Sequence, residues 1–272
     1  MLTGLKIGIV GYGQMAEAVM GGLLSGGVVD PSQICVTGPR AEHANGLARK
    51  YGVGVSTSNA EAAKDADILV LAVKPQMADA VLDELANQVP KSAVVVSIVA
   101  GTTLATLQEK LNHPSVIRAM PNTPGKIGAG VTAWTAAAAV TSSQREQAAT
   151  LLGALGTSVY VDAERYIDMS TALSGTGPMY VLLFMESLVD AGVRMGLPRY
   201  LAQELVLQTV KGTAEYAQGS EDHLAKLRND VTSPGGTSAA ALDALDHAGF
   251  RPAITKAVLA AHARAVELGR KD

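Results

Sequence analysis

The hydrophobic pattern changes character a little past the middle of the chain. Up to about residue 160, short runs rich in Val and Ile alternate with segments whose apolar residues recur every three or four positions. This alternation predicts a mainly parallel, doubly wound sheet with helices between the strands. The predicted strands are Lys6–Val10, Ile34–Thr37, Val53–Ser56, Ile68–Val73, Val94–Ile98, Val116–Met120, Val131–Trp134 and Ser158–Val161.

From about Glu164 the strand signal disappears, and the remaining segments have helical periodicity. We therefore expect an α/β fold with two domains, an N-terminal sheet domain at residues 1–163 and an all-helical domain at residues 164–272. In the long helix Pro178–Met195 the polar residues form one narrow stripe, so the helix must be buried on most sides. A module of about 110 residues is too small to surround it alone. This predicts a homodimer formed through the helical half, unless the sheet domain covers the helix instead.

The first predicted strand ends in a Gly-x-Gly-x-x-Ala turn that opens a helix. Gly11 permits the tight turn, Gly13 lets backbone N–H groups approach phosphates, and Ala16 allows close helix packing. The helix N-terminus adds the positive end of its dipole. The context predicts a Rossmann-type dinucleotide site. Its predicted contacts are Gly11, Tyr12, Gly13, Gln14, Met15 and Ala16.

The second predicted strand is followed by Gly38-Pro39-Arg40, without an acid. An acid at this place binds the ribose 2′-hydroxyl of NAD and would repel a 2′-phosphate. Arg40 stands beside the position that lacks an acid, and a guanidinium binds phosphate through paired N–H donors. We therefore predict NADPH as the cofactor, with NADH at lower preference. The alternative is that Arg40 is a solvated residue near the start of the next helix.

Three later strand ends carry residues suited to the same cleft, because ligands of such sheets bind outside the carboxyl ends of the strands. Lys74 could reach a ribose hydroxyl or a phosphate, and Asn122 could bond the ribose or the carboxamide of the nicotinamide half. The alternative is that these are ordinary turn residues. The predicted cofactor contacts here are Ala72, Val73, Lys74, Pro75, Ala100, Gly101 and Asn122.

Composition excludes several classes of function. The net charge is −3 with no basic stripe, which argues against nucleic acid and anionic membranes as partners. The uninterrupted apolar runs are too short to span a bilayer. The five histidines are scattered, so we expect no metal. Cys35 is the single cysteine and cannot form an internal disulfide; with no signal-peptide pattern at the start, we expect a cytoplasmic protein.

Two glycine-rich elements lie in the helical half, where glycine is otherwise costly. Ser174–Pro178 is predicted to open the long helix, and Val231–Ser238 precedes a later one. The pair Gly235-Gly236 would bare backbone N–H groups at a helix N-terminus, a concave anion site suited to a carboxylate. The alternative for each element is a simple helix start between helices.

On these residues the chain resembles the pyrroline-5-carboxylate reductases. The family has a Ser-Pro-Gly-Gly-Thr-Thr loop, which Ser233–Ser238 matches except that Ser238 stands where Thr is usual. The N-terminal turn, Val73-Lys74-Pro75, Met120–Pro124 and Ser174–Pro178 also resemble the family, which commonly has Ser in place of Thr176. The resemblance implies NAD(P)H-dependent reduction of Δ1-pyrroline-5-carboxylate to L-proline, the last step of proline biosynthesis. It also implies an interlocking helical dimer, in some members assembled into a decamer of five dimers.

The chemistry agrees with the absence of an obvious acid–base constellation in the sequence. A cyclic imine is readily protonated at nitrogen, so the enzyme contributes mainly orientation and electrostatics. The substrate carboxylate is assigned to the backbone around Gly235 and Gly236. By resemblance, Ser238 bonds the ring nitrogen and Glu221 orients it or lies nearby. The predicted catalytic residues are Thr237 and Ser238, and the predicted substrate contacts are Thr176, Glu221, Val231, Ser233, Gly235, Gly236, Thr237 and Ser238.

Three alternatives stand beside this interpretation. A β-hydroxyacid dehydrogenase of the same two-domain plan would need a catalytic lysine on the long helix, and Pro178–Met195 contains none. An imine reductase for a larger substrate would share the plan. A non-catalytic NADP-binding regulator would retain the fold without the reaction.

Overall fold

The computed structural model describes residues 2–38 and 40–269. The strands are β1 Ile7–Val10, β2 Ile34–Thr37, β3 Gly54–Ser56, β4 Ile68–Leu71, β5 Val94–Ser97, β6 Val116–Met120, β7 Gly130–Ala136 and β8 Gly156–Tyr160. The helices are α1 Gln14–Ser25, α2 Ala41–Tyr51, α3 Asn59–Lys64, α4 Pro75–Leu85, α5 Leu104–Leu111, α6 Ser142–Gly153, α7 Arg165–Ser170, α8 Gly177–Arg194, α9 Arg199–Gln218, α10 Leu224–Asp230, α11 Thr237–His247 and α12 Phe250–Gly269.

The eight strands form one sheet in the order β3-β2-β1-β4-β5-β6-β7-β8. Neighbouring strands run parallel except β6 and β7, which pair antiparallel. Every residue of β1, β4, β5 and β6 is buried, as expected for strands covered on both faces. The predicted doubly wound sheet is confirmed. The strand order reverses between β1 and β4, which is the point where such sheets bind ligands.

A buried arginine ties strand β6 to α7, the first helix after the sheet. Arg118 on β6 is 1 % exposed, and its two terminal nitrogens donate to Glu164 at 3.0 Å and to Asp168 at 2.5 Å. Glu164 Oε1 also accepts the backbone N–H of Leu104 at 2.8 Å. Three elements, β6, α7 and the start of α5, are therefore joined through one cation and two carboxylates.

The chain divides into two compact units, one reaching Gly177 and including the chain from Ala261, the other spanning Pro178–Ala260. The second unit has a thin core of its own. Its buried residues include Val189, Ala202 and Leu227, whereas Leu182 is 63 % exposed. Further exposed apolar side chains on α8 are Met179, Val181, Leu183, Phe184 and Leu188.

The helix expected to be buried is thus open to solvent on a single chain. Among the described residues, one helical stretch, Arg165–Arg194, is long and apolar enough to cross a membrane by length and composition, and only 11 % of its most apolar window is buried. The uninterrupted apolar runs of the sequence do not mark this stretch, because polar residues interrupt it. Length and composition are weak indications, since buried helices of other proteins share them.

The element Ser174–Pro178 opens the long helix, as predicted, but without the break from the preceding helix that its glycines and proline indicate. Thr171–Gly175 forms a π-helical turn directly after α7, and α8 begins at Gly177. Thr176 caps this turn: its N–H and its hydroxyl both donate to Thr171 O, at 2.8 and 3.0 Å. The glycine-rich signal was interpreted as an interruption because glycine and proline usually end helices; here the wider turn accommodates them. Such turns are frequent at functional sites.

Substitution of Arg118 tests how much the buried cluster stabilises the fold. Arg118→Met leaves two partly buried carboxylates without their cation, and we expect a loss of about 3–5 kcal/mol in the free energy of unfolding. Chemical denaturation at fixed protein concentration measures it. The matched control is Arg199→Met, which removes the exposed pair with Asp190 and is expected to cost less than about 1 kcal/mol. Equal losses in the two variants would contradict the role given to Arg118.

Candidate functional site

The glycine turn follows β1 at the point where the strand order reverses. Gly11 has φ +105°, and a Cβ there would lie 2.6 Å from Ala72 O, so only glycine fits. Gly13 is the N-cap of α1, and a Cβ there would meet nothing within 4 Å. Ala16 is buried in the core. The turn therefore offers an uncapped helix N-terminus with open space in front, which is what a pyrophosphate needs.

The other predicted strand ends lie along the same edge, because β4, β5 and β6 follow β1 in the sheet and run parallel to it. Val10 O accepts the N–H of Ala72 at 2.8 Å, which places the end of β4 beside the glycine turn. Lys74 is the N-cap of α4, and Pro75 is its first residue. The Lys74 side chain is exposed and has no protein partner in the described parts of the chain.

Two predicted contacts have clear structural partners within the protein. Asn122 Oδ1 accepts the N–H of Val131 at 2.9 Å, and its Nδ2 donates to Ser174 O at 3.2 Å. The amide keeps one N–H and one lone pair for a ligand. A Cβ on Gly101 would lie 2.7 Å from Leu268 O, so close approach of α12 explains this glycine, with φ +78°. Ala100 stands next to it and is half-buried.

The adenosine end of the predicted site lies at the start of α2. Arg40 is the N-cap of α2, and its N–H donates to the hydroxyl of Tyr12 at 2.6 Å. The structure thus brings Arg40 to the glycine turn across 28 residues of sequence. No acid stands between Thr37 and Arg40 among the residues described there; Pro39 lies outside them. A dinucleotide that carries a 2′-phosphate suits this arrangement.

Lys126 is a cation at the turn that the sequence analysis missed. It lies on the short 3₁₀ helix Thr123–Ile127, and its Nζ donates to the side-chain oxygen of Gln14, the first residue of α1. The signal was present as a lysine in the same strand-end loop as Asn122. Nothing in the local pattern shows that this loop folds back onto α1, because the contact joins residues 112 positions apart.

The second glycine element forms a turn and then a helix, as predicted. Gly235 has φ +71°, and Gly236 N–H donates to Ser233 O at 3.1 Å. Gly236 is the N-cap of α11 and supplies no side-chain cap, so the first N–H groups of α11 are bare. Thr237 and Ser238 are exposed, and their hydroxyls have no protein partner in the described parts of the chain. Together they form a small surface of bare N–H groups and two hydroxyls, of the kind that can bind an anion.

The remaining predicted substrate contacts are dispersed. Val231 caps the C-terminus of α10 and is 64 % exposed, at the beginning of the loop. Glu221 is exposed and makes no hydrogen bond or ion pair with the loop within residues 40–269. The Thr176 hydroxyl donates within the π-helical turn, which leaves its oxygen able to accept. Of the described residues searched, no group of His, Cys, Asp and Glu could hold a metal ion.

The fold and the glycine turn define the class: a dinucleotide-dependent oxidoreductase with an α/β cofactor domain followed by helices. A family model described as pyrroline-5-carboxylate reductase dimerisation matches residues 164–268. A second, described as NADP oxidoreductase, coenzyme F420-dependent, matches residues 6–101. The dimerisation match agrees with the uncovered apolar face of α8, and the protein is a homo-oligomer.

Full-length similarity then gives the family. The chain is 44 % identical over 267 residues to the pyrroline-5-carboxylate reductase of Synechocystis, covering 98 % of this chain and 99 % of that one. The Pseudomonas aeruginosa reductase is 42 % identical, covering 98 % and 97 %. The Plasmodium falciparum pyrroline carboxylate reductase crystal structure with NADP bound has a TM-score of 0.90 at 32 % identity, covering 98 % and 99 %. This chain belongs to the pyrroline-5-carboxylate reductase family.

Two glycine substitutions separate folding from cofactor binding. Gly13→Ala meets no protein atom within 4 Å, so we expect only the small loss of stability of alanine at an N-cap, about 1 kcal/mol. Its methyl group would stand where the pyrophosphate is expected, so NADPH binding should weaken at least about tenfold. Gly11→Ala collides with Ala72 O at positive φ and is expected to cost about 1–3 kcal/mol of stability. Calorimetry and thermal unfolding measure both. Unchanged NADPH affinity in Gly13→Ala would place the pyrophosphate elsewhere.

Proposed function

We propose that this protein reduces L-Δ1-pyrroline-5-carboxylate to L-proline with NAD(P)H, the last step of proline biosynthesis. The observation that carries the proposal is the Gly235-Gly236 turn at the bare N-terminus of α11, in a chain whose family is established over its full length. In the balanced reaction the imine nitrogen carries a proton, a hydride adds to the adjacent carbon, and NADPH becomes NADP⁺. A bound nicotinamide supplies that hydride.

The first part of the chain, residues 1–163, binds the dinucleotide in this proposal, and residues 164–272 bind the substrate and dimerise. The α1 N-terminus with Gly11, Gly13 and Ala16 holds the pyrophosphate, and Lys126 adds a positive charge beside it. Arg40 holds the ribose 2′-phosphate, which gives NADPH preference over NADH. The remaining assigned contacts are Tyr12, Gln14, Met15, Ala72, Val73, Lys74, Pro75, Ala100, Gly101 and Asn122.

The substrate carboxylate binds the bare N–H groups that follow Gly236. Backbone N–H groups at a helix start are strong anion donors because their dipoles align with the helix axis. The hydroxyl of Ser238 then accepts the N–H of the protonated ring nitrogen, and Thr237 supports it. Ser238 lacks the methyl group that restricts the rotamer of a threonine. We assign Val231 and Ser233 to the wall of the loop, and Thr176 and Glu221 to orienting the ring.

No strong general acid is required in this scheme. The iminium is electrophilic once the nitrogen is protonated, so the protein acts by holding charge and geometry. The helical part pairs with a second copy, which makes a homodimer the minimal unit, and five dimers form the decamer that the family resemblance implies. We place the protein in the cytoplasm, with neither nucleic acid nor membrane as a partner.

Turnover with the proposed substrate is the direct test. We expect the purified protein to oxidise NADPH when pyrroline-5-carboxylate is added, with L-proline formed in equal amount. The loss of NADPH absorbance at 340 nm measures the reaction. NADH is expected to support a lower kcat/KM. The control is the assay without the imine. NADPH binding with no oxidation would instead identify a non-catalytic regulator, and a preference for a larger imine would change the substrate.

Ser238→Ala tests the assignment of the ring nitrogen. We expect turnover to fall by more than about tenfold while NADPH affinity is unchanged, because the lost hydroxyl contacts only the substrate. The matched control is Ser143→Ala, since Ser143 is also exposed and is likewise the second residue of its helix, α6. Near-normal turnover in Ser238→Ala would remove this hydroxyl from the mechanism.

A further inference from the structure

Three side chains meet where the glycine turn contacts the start of α2. The Tyr12 hydroxyl accepts the backbone N–H of Arg40 at 2.6 Å and the Arg40 Nε–H at 3.4 Å. The guanidinium carbon lies 5.9 Å from the centre of the Tyr12 ring. The His43 ring lies 4.6 Å from the same ring, with its Nε2 3.3 Å from Tyr12 O. Tyr12 therefore contacts the side chains of both Arg40 and His43.

A tyrosine at this position is not explained by the turn. The turn and the phosphate approach depend on Gly11, Gly13 and Ala16. The Tyr12 ring is 9 % exposed and fills the space beside Gly38, where a Cβ would lie 1.7 Å from the ring. Position 38 can therefore only be glycine while the ring is present. The Tyr12 ring requires glycine at position 38, and the Tyr12 hydroxyl holds Arg40 at the start of α2.

The charges around Tyr12 and the start of α2 favour the binding of an anion. Arg40, His43 and Arg49 line an open cavity of about 760 Å³ along α2, together with Glu42. Glu17 and Lys50 also line it, but they form an ion pair with each other, with 2.7 Å between Lys50 Nζ and Glu17 Oε1. The hydrogen bonds from Lys50 and Tyr51 hold the pKa of Glu17 below its ordinary value, so this carboxylate stays paired with its lysine. A surplus of positive charge remains for a phosphate.

We propose that Tyr12 is a positioning residue for cofactor choice: its hydroxyl holds Arg40 ready for the ribose 2′-phosphate. The inference rests on the proposed use of NADPH. An arginine side chain ordered in advance loses less conformational freedom on binding, which raises affinity for the phosphate it faces. The hydroxyl accepts two hydrogen bonds from Arg40, so its effect on the phosphate passes through that side chain.

Tyr12→Phe removes the hydroxyl and keeps the ring that fills the space beside Gly38. We expect the dissociation constant for NADPH, and for the fragment 2′,5′-ADP, to rise about three- to tenfold. Binding of NADH and 5′-AMP and the melting temperature are expected to change much less. Isothermal titration calorimetry measures the four ligands. The matched control is Tyr51→Phe, which removes the other α2-side hydroxyl, bonded to Glu17, and leaves the NADPH-to-NADH ratio unchanged.

A double-mutant cycle tests whether Tyr12 acts on phosphate binding through Arg40. In the Arg40→Ala background, Tyr12→Phe is expected to add little further loss of 2′,5′-ADP binding. Fully additive losses, or equal losses for NADPH and NADH, would overturn the positioning role. If the unmodified protein bound 2′,5′-ADP no better than 5′-AMP, the NADPH assignment itself would fail. If Arg40→Ala alone abolished the preference and Tyr12→Phe left it intact, only the role of Tyr12 would fail.

Discussion

The contact between Arg118 and its two carboxylates underlies the rest of the structure. Burying a guanidinium inside a sheet is costly unless its donors are satisfied, and here Glu164 and Asp168 satisfy two of them. Both acids come from α7 and its N-cap, which directly follow the last strand. Because Glu164 also receives the Leu104 N–H, the loop after β5 is tied to the same centre. The sheet edge to which the cofactor contacts are assigned is thereby held by charge as well as by packing.

Much of the sheet could be predicted from the sequence because buried parallel strands are continuous apolar runs, and their carboxyl ends are marked by glycine, proline and polar residues. The glycine turn and the helix start at Thr237 were predictable for the same reason: each is a local requirement of the backbone. The antiparallel direction of β7 was not, since strand direction depends on pairing with a distant partner. The partners of Asn122, on β7 and in the π-helical turn, were hidden for the same reason.

The proposed site residues also divide into those with a local signal in the sequence and those that depend on a distant contact. Arg40 was found because an acid is missing from a short, well-defined stretch, which is a local observation. Lys126 was missed because its significance lies in a contact with Gln14 on α1. Tyr12 was identified only as a member of the turn. Its two hydrogen bonds with Arg40 depend on how β1 and β2 lie side by side, and spacing along the chain does not reveal them.

The thin core of the unit Pro178–Ala260 makes the helical part of this chain depend on a second copy. The sheet unit buries its central strands, whereas the helical unit leaves Leu182 and its neighbours on α8 to be covered from outside. Dilution therefore acts unevenly along one polypeptide. In a solitary subunit the sheet keeps its buried core while α8 stays open to water, so the total concentration of chains sets how much of the helical unit is well packed.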